Sequence, residues 1–190
     1  MPRKTKVTKA DILETAVQLV RQEGGAALNA RALAKALNCS TQPIFSNYSS
    51  MDEVRTEVIR QAEALYDQYI REGLESTQFP PFKASGMAYI RFAMEERELF
   101  KLLFMRDRSE ETALGTTEEV EFLFDLIEKN VGISREDAKV FHLAMWVYVH
   151  GIATMVATGY LDWDWELISR MMTDQYEGMK MRYQKEVGLK

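Results

Sequence analysis

Cysteine occurs once in these 190 residues, at Cys39. No internal disulfide can form, which fits a reducing compartment and leaves packing alone to hold the fold. In its context Cys39 reads as a small hydrophobe rather than a redox sensor. Histidine occurs twice, at His142 and His150, with no His-x-x-His or Cys cluster beside either, so no metal site is expected. There is no run of 18 apolar residues, and the Lys-rich start lacks the apolar core of a signal peptide. The expectation is a cytoplasmic chain without a membrane span. Period-two strand patterns and hairpin turns are also nearly absent. No Gly-rich phosphate loop and no nucleophile-base pairing is present, and the Asp and Glu residues are scattered as helix caps and surface. The chain is therefore expected to be no enzyme and to need no cofactor.

What is present is helical periodicity, in a chain that is 46% hydrophobic. Thr8 with Asp11 forms a capping box ahead of Ile12, Leu13, Ala16, Val17, Leu19 and Val20, and Gly24-Gly25 closes that helix. Asn29 can cap a second helix carrying Ala32, Leu33, Ala36 and Leu37 on one face. Asn38 tolerates a left-handed turn, and Ser40 is placed to cap a third helix that starts at Thr41. Pro43 falls in the first turn, where its missing N–H has no acceptor to lose. Ile44 and Tyr48, four apart, anchor this short helix and leave Thr41, Gln42, Ser46 and Asn47 outward. Such a face suits the major groove, where Gln or Asn can pair with adenine, and it equally suits a helical hairpin with a polar solvent face. Ser50 with Glu53 then opens a long fourth helix with Val54, Val58, Ala62, Leu65 and Tyr69 on one side, running to Gly73.

Net charge is −5 but unevenly divided: residues 1–50 carry +4 and the remainder −9. Positive potential thus gathers on the helix-turn-helix segment, while the acidic remainder discourages approach to phosphate elsewhere.

From about Lys9 to Val58, ILETAVQLVRQEGGAALNARALAKALNCSTQPIFSNYSSMDEVRTEVI resembles the TetR family of bacterial transcriptional repressors. The likeness rests on Gly24 closing the first helix, on Ile44-Phe45 and Tyr48 in the hydrophobic-aromatic pattern, and on Ser50 opening the fourth. It implies a recognition helix at 41–47, with Thr41, Gln42, Ser46 and Asn47 at base edges or phosphates and Asn29 near a phosphate. Family members commonly carry Tyr where this chain has Phe45 and Lys where it has Met51, so two phosphate anchors are missing from this DNA-facing surface. Arg3, Lys4, Lys6 and Lys9 can compensate as a basic arm, or form a solvated terminus. The candidate DNA-binding residues are Asn29, Thr41, Gln42, Phe45, Ser46, Asn47, Lys4 and Lys6.

The remainder reads as helices throughout. Pro80-Pro81 breaks the chain, and Ala84, Met87, Ile90 and Met94 stripe the helix after it. ERELFKLLFM, 96–105, is a separate short helix, and 106–116 is a charged loop. Thr116 with Glu119 starts a helix closed by Asn130 and Gly132. Ser134 opens a run to Thr158 that is apolar on nearly every side, and a last helix spans roughly 163–186. Two long helices with surplus apolar surface argue for a homodimer through that pair. WVYVHG, 146–151, also resembles the Trp-x-x-x-His-Gly signature of one TetR C-terminal subgroup. His150 has two readings, a polar contact to a ligand or a core histidine bonded to a backbone carbonyl, and Gly151 would let another helix come close.

The expected architecture is all-α: an N-terminal three-helix helix-turn-helix head, residues 1–50, joined by a long fourth helix to a helical ligand-binding and dimerisation domain, 51–190. Met and aromatic residues after position 50 suit a pocket for a small apolar ligand as well as an ordinary core. The candidates are Met94, Phe104, Phe122, Trp146, Tyr148, His150, Met155 and Trp163. The family resemblance implies a double-stranded DNA operator, a two-state switch in which ligand retilts the fourth helix, and release of the paired heads. The rival reading is an all-helical carrier or interaction protein with a weakened head.

Overall fold

The computed structural model describes residues 7–107 and 118–188, and among these it is all-α, with nine α-helices and no strand. By contacts the chain divides into two compact units, one of residues 1–68 with 95–106 and one of 69–94 with 107–190.

In the first unit, α1 (Lys9–Glu23) starts at a complete capping box between Thr8 and Asp11 and stops at Gly24, whose φ of 82° suits a residue without a Cβ. A short 3-10 turn leads to α2 (Ala30–Ala36) and then α3 (Gln42–Asn47). The long α4 (Met51–Glu75) contributes its first 18 residues here, and α6 (Arg97–Phe104) packs on α1. Ile12, Ala16, Val20, Leu33, Ile44, Val54, Val58, Leu99 and Phe100 are fully buried. Each large aliphatic side chain so buried is worth about 1.5–3 kcal/mol. The predicted box at Ser50 forms only halfway. Glu53 N–H donates to Ser50 Oγ at 3.2 Å, but the Glu53 carboxylate reaches past Ser50 to the Ser49 N–H at 2.7 Å.

The second unit comprises the end of α4, α5 (Pro81–Glu95, to residue 94), α7 (Glu118–Val131), α8 (Arg135–Ala157) and α9 (Trp165–Gly188). The Pro80-Pro81 break is real, and Pro81 is itself the first residue of α5, where no backbone donor is needed. Thr116, expected to open α7, lies outside the described residues, as does most of the 106–116 loop. A Cβ on Gly73 would stand 2.6 Å from the Ala88 Cβ and 3.2 Å from the Ala84 carbonyl, so α4 and α5 touch at backbone distance. Phe141 of α8 meets Phe82, Tyr176 and Tyr183 in edge-on or tilted ring contacts across α5, α8 and α9. Arg135 at the start of α8 is clasped by Glu121, Asp125 and Glu128 of α7, three carboxylates that hold its charge firmly. The sequence offered no membrane span, yet by length and mean hydropathy, 1.5 over its best window, α8 is apolar enough to cross a bilayer. Its apolar surplus serves packing against α7 and α9 on one side and stays exposed on another.

Candidate nucleic-acid interface

In the helix-turn-helix the first helix is set by a side-chain cap and the second by the burial of Ile44 and Tyr48. Asn29 accepts the N–H groups of Arg31 and Ala32 at 3.1 and 3.0 Å and donates its amide to the Ala27 carbonyl at 3.0 Å. With its oxygen spent on the cap, the second amide proton is what remains for a phosphate. Between the helices Asn38 takes φ 49°, the left-handed conformation the turn requires. The expected Ser40 cap is not made. Thr41 is the capping position and is already helical in conformation, with its carbonyl rather than its side chain accepting from Ile44 and Phe45. Pro43, in the first turn, removes one donor that a side-chain cap would have served.

On α3, Gln42 and Ser46 are exposed, Phe45 projects with 51% of its surface free, and Thr41 and Asn47 are half-buried. The Ser46 hydroxyl donates to the Gln42 carbonyl at 2.9 Å, and the Asn47 amide donates to the Pro43 carbonyl at 2.8 Å, filling the ladder around the proline. Gln42 alone of this set keeps its whole side-chain amide outward without an internal bond. Exposed Arg31 and Lys35 on α2 lie on the same unit.

Lys9, suggested for a basic arm, stays exposed but is engaged by carboxylates of α4. Its ammonium sits 2.7 Å from Glu57, 3.5 Å from Glu53 and 4.6 Å from the centre of the Tyr48 ring. The hydrogen bond to Glu57 pushes its pKa up. Tyr48 is buried and its hydroxyl donates to Glu57 at 3.3 Å, so Lys9, Tyr48 and Glu57 tie α1 and α4 to the end of the recognition helix. Lys4 and Lys6 lie outside the described residues. A second tie had no sequence signal. Arg21 of α1 makes a two-pronged pair with Glu96, at 2.8 and 2.6 Å, across 75 residues of chain. At that separation nothing in helical spacing could have matched them.

The pocket candidates do not form one cluster. Phe104 belongs to the first unit and meets Tyr66 there. In the second unit Phe122, Trp146 and Met155 are exposed, while Met94, Tyr148 and Trp163 are half-buried. Trp146 and His150 do come together, stacked at 5.2 Å and 15°. The partner of His150 Nδ1 is the hydroxyl of buried Tyr89 at 2.8 Å rather than the backbone carbonyl expected. Burial pushes both His150 and His142 below the ordinary imidazole value, and burial with the nearby Asp174 charge pushes Tyr148 up. Two concavities of about 500 and 520 Å3 are formed, the first lined from Lys83 and α9 and the second from Arg21 and residues 95–98, and none of the eight candidates lines either. Among the described residues no metal-ligand cluster occurs.

A short helix pair with an outward polar face, packed within the first unit and accompanied by a second helical unit, defines an all-α helix-turn-helix protein. Residues 82–175 match a family model described as "Tetracyclin repressor-like, C-terminal domain". The fold is similar to that of a TetR-like transcriptional regulator from Rhodococcus sp. RHA1, with a TM-score of 0.61 and 15% identity over 94% of this chain and 96% of that one. It is also similar to a TetR family member from Streptomyces coelicolor A3, with a TM-score of 0.57 and 16% identity over 86% and 95%. No protein of curated function matches. The chain belongs to the TetR family.

Proposed function

We propose that this protein is a ligand-responsive transcriptional regulator that represses by binding a pseudo-palindromic DNA operator as a homodimer and is released by a small apolar effector. Residues 1–50 are the reading domain and 51–190 the ligand-binding and dimerisation domain of a cytoplasmic protein without catalysis of its own. The observation that carries the reading is the α3 face, where Gln42 and Ser46 stand exposed on a short helix within a segment of net charge +4. An exposed amide can pair in bidentate fashion with adenine in the major groove, and Phe45 beside it offers an apolar surface to a thymine methyl or a sugar. The positive segment supplies the sequence-independent attraction that brings the face to DNA.

The dimer is supported by α8. Val140, Leu143, Val147 and Met155 are exposed along one side of it, with Ala144 and Gly151 between them, and among the described residues nothing beyond the backbone of α8 and the neighbours of Gly151 stands within 4 Å of a Cβ built on that glycine. A close helix approach at that glycine is thus available to a second copy. The two-fold axis of such a pair would be matched by inverted half-sites.

Selection of binding sites from random duplexes at about 0.15 M salt tests the reading, since specific contacts survive where phosphate attraction alone fades. An enriched inverted repeat is expected. Binding without enrichment, vanishing as salt rises, would sink it and promote the carrier reading, for which Phe45 and Met51 speak by lacking a phosphate-binding hydroxyl and cation.

A further inference from the structure

Charge is segregated along α9. From Asp162 to Glu177 the chain carries five carboxylates and one cation, Arg170; from Gly178 to Lys185 it carries Lys180, Arg182 and Lys185 and no carboxylate. An acidic start and a basic end suit the dipole of any helix, but that effect fades within the first and last turns. Asp174 and Glu177 stand nine and twelve residues beyond Trp165, the first residue of α9, and Arg182 stands six before the last, Gly188. The dipole therefore does not account for them.

Asp174 and Arg182 are both exposed, and so is Gly178, four residues from each. Among the described residues nothing beyond the backbone of α9 and the neighbours of Gly178 stands within 4 Å of a Cβ built there. A glycine weakens a helix interior, and nothing in the single chain uses its missing Cβ. Leu167, Met171, Asp174, Gly178, Met181 and Lys185 follow one another at alternating steps of four and three, so they line one side of α9 like the seam of a paired helix. Met181 has 57% of its surface free, and Leu167 and Met171 are half-buried. That side adjoins the exposed stripe of α8, because the Asp174 charge acts on Tyr148, which lies between Ala144 and Gly151 one turn to either side.

A glycine flanked at equal distance by opposite charges suits a two-fold axis. When two such helices cross antiparallel at the glycine, the residue four positions after it on one faces the residue four positions before it on the other, about 6 Å along the axis. We propose that α9 selects a second copy of this chain by that crossing: the two Gly178 residues meet, and Asp174 of each copy pairs with the partner's Arg182. This rests on the dimer reading above and adds to it the residues that choose the partner. Parallel pairing would set like charges together, and a crossing shifted to Asp174 would set that carboxylate against itself, so the same charges reject the alternatives.

Sedimentation equilibrium of the full chain at about 0.15 M salt reads the pairing. Asp174→Lys puts two Lys–Arg contacts into the dimer and Arg182→Glu two Asp–Glu contacts, so each alone is expected to raise the dimer Kd by about tenfold or more. Mixed in equal amounts, the two variant chains regain both opposite-charge pairs, and a heterodimer as tight as the parent dimer is expected. A chain carrying both substitutions is expected to pair with itself as the parent does and to pair poorly with the parent. If either single variant loses its helical circular dichroism, Asp174→Asn and Arg182→Gln take their place, and their mixture regains one pair. A dimeric parent whose variants pair as tightly, or whose mixed variants pair no better than either alone, would overturn the crossing and leave the dimer standing. A parent that is monomeric throughout would remove the dimer reading and the crossing with it.

Discussion

Gln42 and its neighbours divide the reading face by what each side chain has left to give. Ser46 and Asn47 spend a donor on carbonyls around Pro43, whereas the Gln42 amide is turned outward. Gln42→Ala is therefore expected to cost about 1–3 kcal/mol on a selected operator and almost nothing on random DNA, which competition binding measures. Equal loss on both would remove Gln42 from base reading. The two histidines make a prediction of another kind. Both are buried enough that folding lowers their pKa from 6.5. The unfolded chain then binds protons more readily, so stability is whole above about pH 6.5 and is lost as pH falls from there through the folded value. The carboxylates of Asp11 and Glu53, depressed by hydrogen bonds from Thr8 and Ser49, add their loss only below 3.8 and 4.5. Urea unfolding at pH 7.5 and 5.5 should show the drop, and His142→Phe, set among the rings of Phe82 and Phe124, should shrink it. An undiminished drop in that variant would assign it elsewhere. Outward positions on α3 were legible in the sequence because Ile44 and Tyr48 fix which side is inward. The pairing of Lys9 with Glu57 and the Tyr89 partner of His150 were not, since both depend on where another helix passes.

At the scale of elements, local signals did most of the work. Thr8, Gly24, Asn29, Asn38, Ser134 and Pro80-Pro81 act within a few residues of themselves, and each marks a boundary or turn where it was expected. The failures are where two local devices compete, as at Ser40, where Pro43 had already removed the donor. Long-range pairing is where sequence reading stops. That α6 packs on α1 in the first unit depends on Arg21 meeting Glu96 and on Leu99 and Phe100 finding a core, not on any motif. Close approach of α4 and α5 is another such case, and it is testable. Gly73→Val would drive a branched side chain into Ala88 and the Ala84 carbonyl, so an overpacking loss of about 1–3 kcal/mol is expected in denaturant unfolding. Gly132→Ala, with open space around it but φ 78°, is a useful contrast, expected to lose stability through backbone strain instead. If Gly73→Val unfolds at the parent denaturant concentration, the two helices do not touch as described.

For the whole molecule the decisive quantity is apolar surface that one chain leaves uncovered. Val140, Leu143 and Val147 each expose more than half of their surface on one side of α8, around an open Gly151. A lone aliphatic residue in water needs no explanation, but a stripe at helical spacing on the most apolar helix does. Val147→Glu places a charge in the middle of that stripe without entering the core, because the side chain already points to solvent in the single chain. Monomer stability should change by less than about 0.5 kcal/mol, as for other exposed sites. If two copies meet there, the same substitution buries two carboxylates face to face, and like-charge juxtaposition at an interface costs several kcal/mol. Sedimentation velocity should then show a dimer for the parent and a monomer for the variant, with helical circular dichroism unchanged. The consequence for DNA is sharper than the loss of one contact. A paired head binds its second half-site at high effective concentration, so the variant should lose most affinity for an inverted repeat while keeping the weak binding of a single half-site. A Val147→Glu protein that remains dimeric would place the interface elsewhere, and a monomeric variant that still held the full inverted repeat as tightly would separate dimerisation from operator reading.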